Sequence, residues 1–186
     1  MTGRVASIQT LGDADRRTIA RWAAACAERV LPLFDADAAA VEQVHDAVAR
    51  TRAYSRGEST AAEEIAKRMI AVKAAGRATT PAGAAAARSA AQASGVAHLA
   101  AHALGAAAYA VKAVSLANPD RPEAEQEEIR WQLEHLTADE RAVLRRLPPV
   151  GASSSGPLGA GLLSRGLLGS AIRQIQAEVG RDEAAE

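Results

Sequence analysis

Apolar side chains recur at helical spacing through the first third of the chain. One stripe predicts a helix that begins at Asp13 or Asp15 and ends before Pro32, with its apolar positions at Ile19, Trp22, Ala23, Cys26 and Val30. A second stripe predicts a helix over 38–56 that buries Val41, Val44, Ala47 and Val48. Long alternations of Val, Ile and Thr, which strands require, are absent. The pattern predicts an all-α fold.

Capping signals divide the middle of the chain. Thr60 with Glu63 is a capping-box pattern that predicts a third helix, ending at Gly76 and burying Ala62, Ile65, Met69 and Val72. Thr80 before Pro81 predicts the start of an alanine-rich fourth helix. Gly95 either separates this helix from a fifth, or the two continue as one long rod.

The periodicity continues to about residue 147 and then stops. A sixth helix is predicted in "RPEAEQEEIRWQLEHL", and Thr137 with Glu140 predicts a short seventh helix that Pro148 and Pro149 close. The next stretch, "PPVGASSSGPLGAGLLSRGLLGS", is rich in Gly, Ser and Pro, and its leucines have no steady period. We therefore predict a compact bundle of about six to seven helices over 13–147. It stands between a flexible N-terminus (1–12) and a flexible C-terminal extension (148–186) that ends in a weak helix.

Alanine content, net charge and cysteine count indicate which partners and which cellular compartment the protein has. Aromatic residues make up 3% of the chain, and much of the 48% apolar share is alanine, which favours closely packed helices or a tight homodimer. The formal net charge is zero and no basic cluster occurs, which argues against nucleic acid. The single cysteine, Cys26, fits a reducing compartment, and neither a signal peptide nor a membrane span is evident. We expect a cytoplasmic protein.

Two histidines stand four residues apart in "VAHLAAHALGAAAYAVKAV". In a helix, His98 and His102 would share one face with Gly105 and Tyr109. They can hydrogen-bond to an adjacent helix, contact a partner, or bind a metal. A metal needs one or two further ligands, and no spacing nominates them among Glu63, Glu64, His45 and His135. We therefore favour a structural or interfacial role and expect no cofactor.

Signatures of catalysis are missing from the sequence. It has no P-loop, dinucleotide fingerprint, nucleophile elbow or CxxC pair, and Leu99 stands where the HExxH metalloprotease pattern requires glutamate. Glu63 is interpreted as a helix cap, and the acidic run "EAEQEE" (123–128) as a solvated helix face that a basic partner can also use. We predict that the protein is not an enzyme.

Four segments in a fixed order resemble a family of immunity proteins from bacterial polymorphic toxin systems, of the immunity-type-five-like kind. The segments are "WAAACAERVLPLFDAD", "VHDAVARTRAYSRGE", "VAHLAAHALGAAAYAVKAV" and "EIRWQLEHLTADERAVL", within residues 13–147. The resemblance implies an all-α domain that binds a cognate toxin and neutralises it by occlusion, without chemistry. On this hypothesis, His98, His102, Tyr109 and Trp131 are the candidate contacts, because aromatic and polar anchors commonly carry interface energy.

The C-terminal extension suggests a second hypothesis. "GPLGAGLLSRG" (156–166) resembles the docking peptides that load cargo into bacterial encapsulin shells, which interleave glycines with apolar anchors. That resemblance implies a shell protein as partner, with Leu158, Leu162 or Leu163, and Arg165 as the docking residues. The simpler interpretation is a low-complexity linker that leads to a weak helix. The third hypothesis is a metal-binding helical protein that uses His98 and His102.

Overall fold

The computed structural model describes residues 7–183. Within that range the chain forms helices and no strands, which confirms the predicted all-α fold. The helices are α1 (Asp13–Val30), α2 (Ala38–Ser55), α3 (Ala61–Lys67), α4 (Met69–Ala75), α5 (Pro81–Gly95), α6 (His102–Ala117), α7 (Ala124–Glu134), α8 (Ala138–Arg145) and α9 (Gly166–Glu183), with 3-10 turns at Leu31–Leu33 and Leu162–Ser164. None of these helices combines the length and apolarity needed to cross a membrane.

Helices α1, α5 and α6 form the centre of the core. The predicted apolar stripe of α1 is buried, and the Trp22 indole N–H donates to the Gln132 carbonyl of α7 at 2.8 Å. Helices α5 and α6 face each other mainly through alanine, so their backbones come close. The Ser89 hydroxyl donates across this contact to the Ala106 carbonyl at 2.7 Å. The alanine content thus serves tight helix packing.

Three caps predicted from sequence are present, but the third predicted helix is broken. Both capping boxes form, and the Thr80 hydroxyl accepts from the backbone of Gly83. At Arg68 the helical hydrogen-bond pattern is interrupted, because its N–H donates to Ile65, three residues back, and α4 begins at the next residue. Helix α4 buries its alanines, so the prediction that Met69 and Val72 are buried is wrong: they are 48% and 45% exposed.

Helix α5 ends at Gly95, and residues 96–101 form turns before α6. His98 therefore lies in a turn, not on one helical face with His102 as the sequence pattern predicted. Residues near the N-terminus hold the turn, because the backbone N–H groups of Ala100 and Ala101 donate to the carbonyls of Thr10 and Gln9. These two backbone donors thus bond to another segment instead of continuing a helix.

The C-terminal extension differs from the expected flexible segment. Helix α9 is ordered, packs against α6, α7 and α8, and buries Leu168, Ala171, Ile172, Ile175 and Val179. These residues form a helical stripe whose first member lies in the stretch interpreted as a linker. Of the N-terminus that we expected to be flexible, residues 1–6 lie outside the described residues. Gln9 is buried.

Candidate functional site

A groove lies between the α5–α6 turn and the chain that precedes α9. One side is lined by Gln92, His98, Leu99, His102 and Tyr109, and the other by Gly156, Pro157, Gly161, Leu162 and Leu163. We call it the histidine groove. Its volume of about 410 Å³ is within the usual range for ligand pockets. The structure thus brings together two sets of residues that the sequence nominated for different functions.

His102 is fixed at the base of this groove. Its Nδ1 lies 2.8 Å from the Gln92 side-chain oxygen, which can only accept, so Nδ1 carries the proton and donates. Burial lowers the pKa of His102 to about 4, and the nearby charges of His98 and Arg68 act in the same direction. The ring is therefore neutral at pH 7.

His98 stands at the exposed rim of the groove. Its side chain makes no hydrogen bond to the residues that the structure describes, unlike that of His102. Partial burial lowers its pKa, with smaller contributions from Arg68 and Arg16. The structural role considered for both histidines thus applies to His102, and His98 presents a neutral imidazole to solvent.

A metal site at the two histidines lacks further ligands. Among residues 7–183, no group of three or more His, Cys, Asp or Glu is placed to hold a metal ion. The charge of Arg68 also acts on both imidazoles and disfavours a bound cation. The donor set therefore does not fit the zinc sites of proteins, which use at least three protein ligands.

Tyr109 connects the histidine groove to a smaller hollow. It is 5% exposed, and its ring also lines a space of about 170 Å³ together with Val72, Arg88 and Ala91. Its hydroxyl makes no hydrogen bond to the described part of the chain, and burial raises its pKa. Tyr109 is therefore mainly a packing residue that lines both spaces.

The C-terminal side of the groove is held by one buried side chain near the N-terminus. The Gln9 amide nitrogen donates to the Ser155 carbonyl at 2.7 Å, and its oxygen accepts from the Leu158 N–H at 2.9 Å. Gly156 has a φ of +77°, and a β-carbon there would lie 2.8 Å from Gln9 Oε1, so glycine is required. Sequence reasoning missed Gln9, because nothing local marks a contact with a segment so distant in the chain.

The residues nominated for shell docking have different environments. Leu158 is fully buried and Leu163 is 6% exposed, so both belong to the protein's own core. Leu162 is 65% exposed and Arg165 is exposed. A docking peptide would have to withdraw two leucines from the core. The structure therefore gives no support to the encapsulin hypothesis.

Trp131 lies apart from the histidine groove, on a second surface. It stacks on His135 with ring centroids 3.9 Å apart, and the Arg29 guanidinium lies 4.4 Å from its ring centre. The hollow beside it, about 410 Å³, is lined by Arg21, Ala25, Glu28, Arg29, Arg52, Trp131 and His135. We call this the arginine–tryptophan surface.

Carboxylates pair with the three arginines of this surface, and two of these carboxylates are buried. Glu128 is 2% exposed and accepts from Arg29 Nε at 2.6 Å, while Glu140 is 1% exposed and pairs with both ends of the Arg21 guanidinium. Arg52 forms a similar pair with Glu28. The interpretation of 123–128 as a solvated face is thus wrong at Glu128. This carboxylate is buried, which is possible because the Arg29 guanidinium pairs with it.

The groove therefore has apolar walls, a neutral histidine held by Gln92 at its base, and a second histidine at its rim that makes no hydrogen bond to the described residues. Residues 9–139 match the family model described as "Imm-5 like putative immunity protein", and the chain belongs to that family. Neither the curated proteins nor the solved structures give a significant match. The matched range contains the histidine side of the groove and ends before residues 156–163.

Proposed function

We propose that this protein binds a cognate protein toxin at the histidine groove and neutralises it by occlusion, without catalysis. Membership of the immunity family supports a toxin as the partner. The observation that carries the choice of site is the unpaired His98 imidazole at the rim of a preformed apolar groove. Anchor residues of a protein partner commonly fill pockets of this kind.

Exposed apolar side chains around the groove favour it over the arginine–tryptophan surface. Leu162 lines it, and Val72 lines the adjoining hollow. They are 65% and 45% exposed, among the most exposed large apolar residues of the described part of the chain. Clustered exposed apolar residues mark interaction sites. On the other surface, the three arginines already pair with carboxylates.

Charge near the groove indicates the chemistry of the toxin surface. Arg88 lines the hollow beside Tyr109, and Arg68 acts electrostatically on both histidines. Neither arginine forms an ion pair with the described residues. His102 is neutral at pH 7, so the base of the groove carries no charge. The complementary toxin surface is an apolar segment flanked by carboxylates.

The test uses a toxin identified among the genes next to the one that encodes this chain, in a catalytically inactive form for binding and in an active form for growth. Co-expression of the intact chain should restore growth, and calorimetry should show a 1:1 complex. His98→Ala should weaken binding about tenfold or more, as for a contact that contributes above about 1 kcal/mol. His45→Ala removes another exposed histidine, on α2, and should leave affinity unchanged.

Two results would contradict the proposal. Failure of the intact chain to bind or to protect would remove the toxin as partner. Loss of binding in Trp131→Ala, with full binding in His98→Ala, would place the interface on the arginine–tryptophan surface. Thermal unfolding of each variant separates lost contacts from lost folding, because the Trp131 ring packs on His135 and Arg29, whereas the exposed His98 side chain makes no hydrogen bond to the described residues.

A further inference from the structure

We infer that residues 156–163 are the specificity-determining wall of the toxin-binding groove and that Leu162 is their contact residue. The inference rests on the proposed function, and it assigns partner choice to a segment beyond the part of the chain that the family model matches. We call this segment the C-terminal wall.

The C-terminal wall is anchored at both ends of its path over the core. Leu158 is fully buried. Its N–H donates to the Gln9 side-chain oxygen, and its carbonyl accepts from the Gly151 N–H. Leu163 is buried against α6, where a β-carbon on Gly105 would lie 3.1 Å from its Cδ1. The 3-10 turn Leu162–Ser164 then leads into α9. The wall is therefore a fixed surface rather than a loose loop.

Between these anchors the wall presents one large apolar side chain. Leu162 is 65% exposed and lines the groove opposite the histidines. Its neighbour Gly161 has no atom within 4 Å of where a β-carbon would be, so the space beside Leu162 is open to a partner. An exposed leucine next to a buried one follows from the turn, which points successive side chains in different directions. The partner covering Leu162 is the apolar segment of the toxin.

The two sides of the groove come from different parts of the chain. The family match includes Gln92, His98, His102 and Tyr109, so the side that they form is the part that the family model covers. The C-terminal wall lies after residue 139 and outside the match. The histidine side can keep one binding mode within the family, while changes in the C-terminal wall alter which toxin fits the groove. Specificity of this kind is a difference of affinities set by local fit.

The experiment measures binding of the inactive toxin to the intact chain, to Leu162→Asp and to Leu162→Met. A charge facing the toxin's apolar segment should raise Kd at least tenfold, while methionine, of similar volume, should bind within about threefold of the original chain. The control is Leu116→Asp, since Leu116 is 42% exposed near the other end of α6. Its Kd should not change.

Hydrogen exchange gives a second readout that a structural role alone would not change. Amides of residues 156–163 should exchange more slowly in the complex than in the free protein. Normal binding by Leu162→Asp, or unchanged exchange in the wall when the toxin is bound, would overturn the inference and leave the proposed function in place. Absence of any binding by the original chain would overturn both, so the two failures are distinguishable.

Discussion

At the scale of single residues, His102 shows how burial sets the chemistry of the groove. Its ring is enclosed between α5 and the C-terminal segment, with Gln92 as hydrogen-bond partner. Gly95 makes room for it, because a β-carbon there would lie 3.0 Å from the imidazole. Protonation would place a charge on a desolvated ring, close to Arg68. The site is therefore built for an uncharged imidazole.

This environment predicts a loss of stability in mild acid. The pKa of His102 is about 4 in the folded protein and about 6.5 when unfolded, so between these values the unfolded state binds more protons. Stability should fall as pH drops from about 6.5 to 4, by about 3 kcal/mol in total from this residue. Urea denaturation across this range should show a flatter profile for His102→Gln than for the original chain. Identical profiles would contradict the assigned pKa.

Sequence reasoning at this scale succeeded where the interaction is local. Thr60 and Thr137 cap the helices that they precede, since the partners stand three residues away. Gln92 and Gln9 went unrecognised, because a glutamine carries no signal of its distant partner. The partner-binding roles of His98, His102, Tyr109 and Trp131 remain predictions. The structure separates Trp131 from the other three.

At the scale of elements, α9 depends on a close approach at its first turns. The Ser164 carbonyl accepts from Arg173 at 2.7 Å and lies against the backbone at Gly169. A β-carbon at position 169 would be well inside contact distance of this carbonyl, which is backbone and cannot turn aside. Gly180, in the same helix, has open space around it.

The two glycines should respond to alanine in opposite directions. Gly169→Ala should destabilise the fold by about 1–3 kcal/mol, because the turn before α9 has to shift. Gly180→Ala should stabilise it by about 0.5–1 kcal/mol through helix propensity. Chemical denaturation of both variants measures the difference. Equal effects at the two positions would show that the Ser164 contact does not constrain residue 169.

The sequence predicted where helices begin more reliably than it predicted which other segments those helices contact. The starts of α1, α2 and α5 follow from apolar spacing and caps. The break at Arg68 and the turns over 96–101 depend on hydrogen bonds to other residues, including the distant Gln9 and Thr10. Periodicity carries no information about such bonds. For the same reason it could not show that the extension after residue 147 packs on α6.

At the scale of the whole molecule, the C-terminal segment completes the core. Leu158, Leu163, Leu168, Ile172 and Ile175 belong to the same cluster of buried residues as α1 and α6. Each fully buried aliphatic side chain contributes about 1.5–3 kcal/mol relative to exposure. Removal of the chain after residue 147 would expose this face of α6. Point substitutions are therefore the cleaner test of the segment's function.

One pair of substitutions checks this account of the segment. Leu158→Ala should lower the free energy of unfolding by about 2–5 kcal/mol, because it leaves a cavity in a fully buried site. Leu162→Ala, on an exposed side chain, should change it by less than about 0.5 kcal/mol. Urea denaturation gives both values. A small effect at Leu158 would show that the segment is only loosely attached.

The contact between Gln9 and Leu158 also orders events during synthesis. The two residues are 149 positions apart, so Gln9 emerges long before its partner is made. At about 5–20 residues per second, the ribosome needs roughly 7–30 s to synthesise the intervening chain. Until then the groove lacks one of its walls and the core lacks one of its faces. A nascent chain therefore has no complete histidine groove, and any binding through that groove, as proposed above, starts only after the C-terminal segment has left the ribosome.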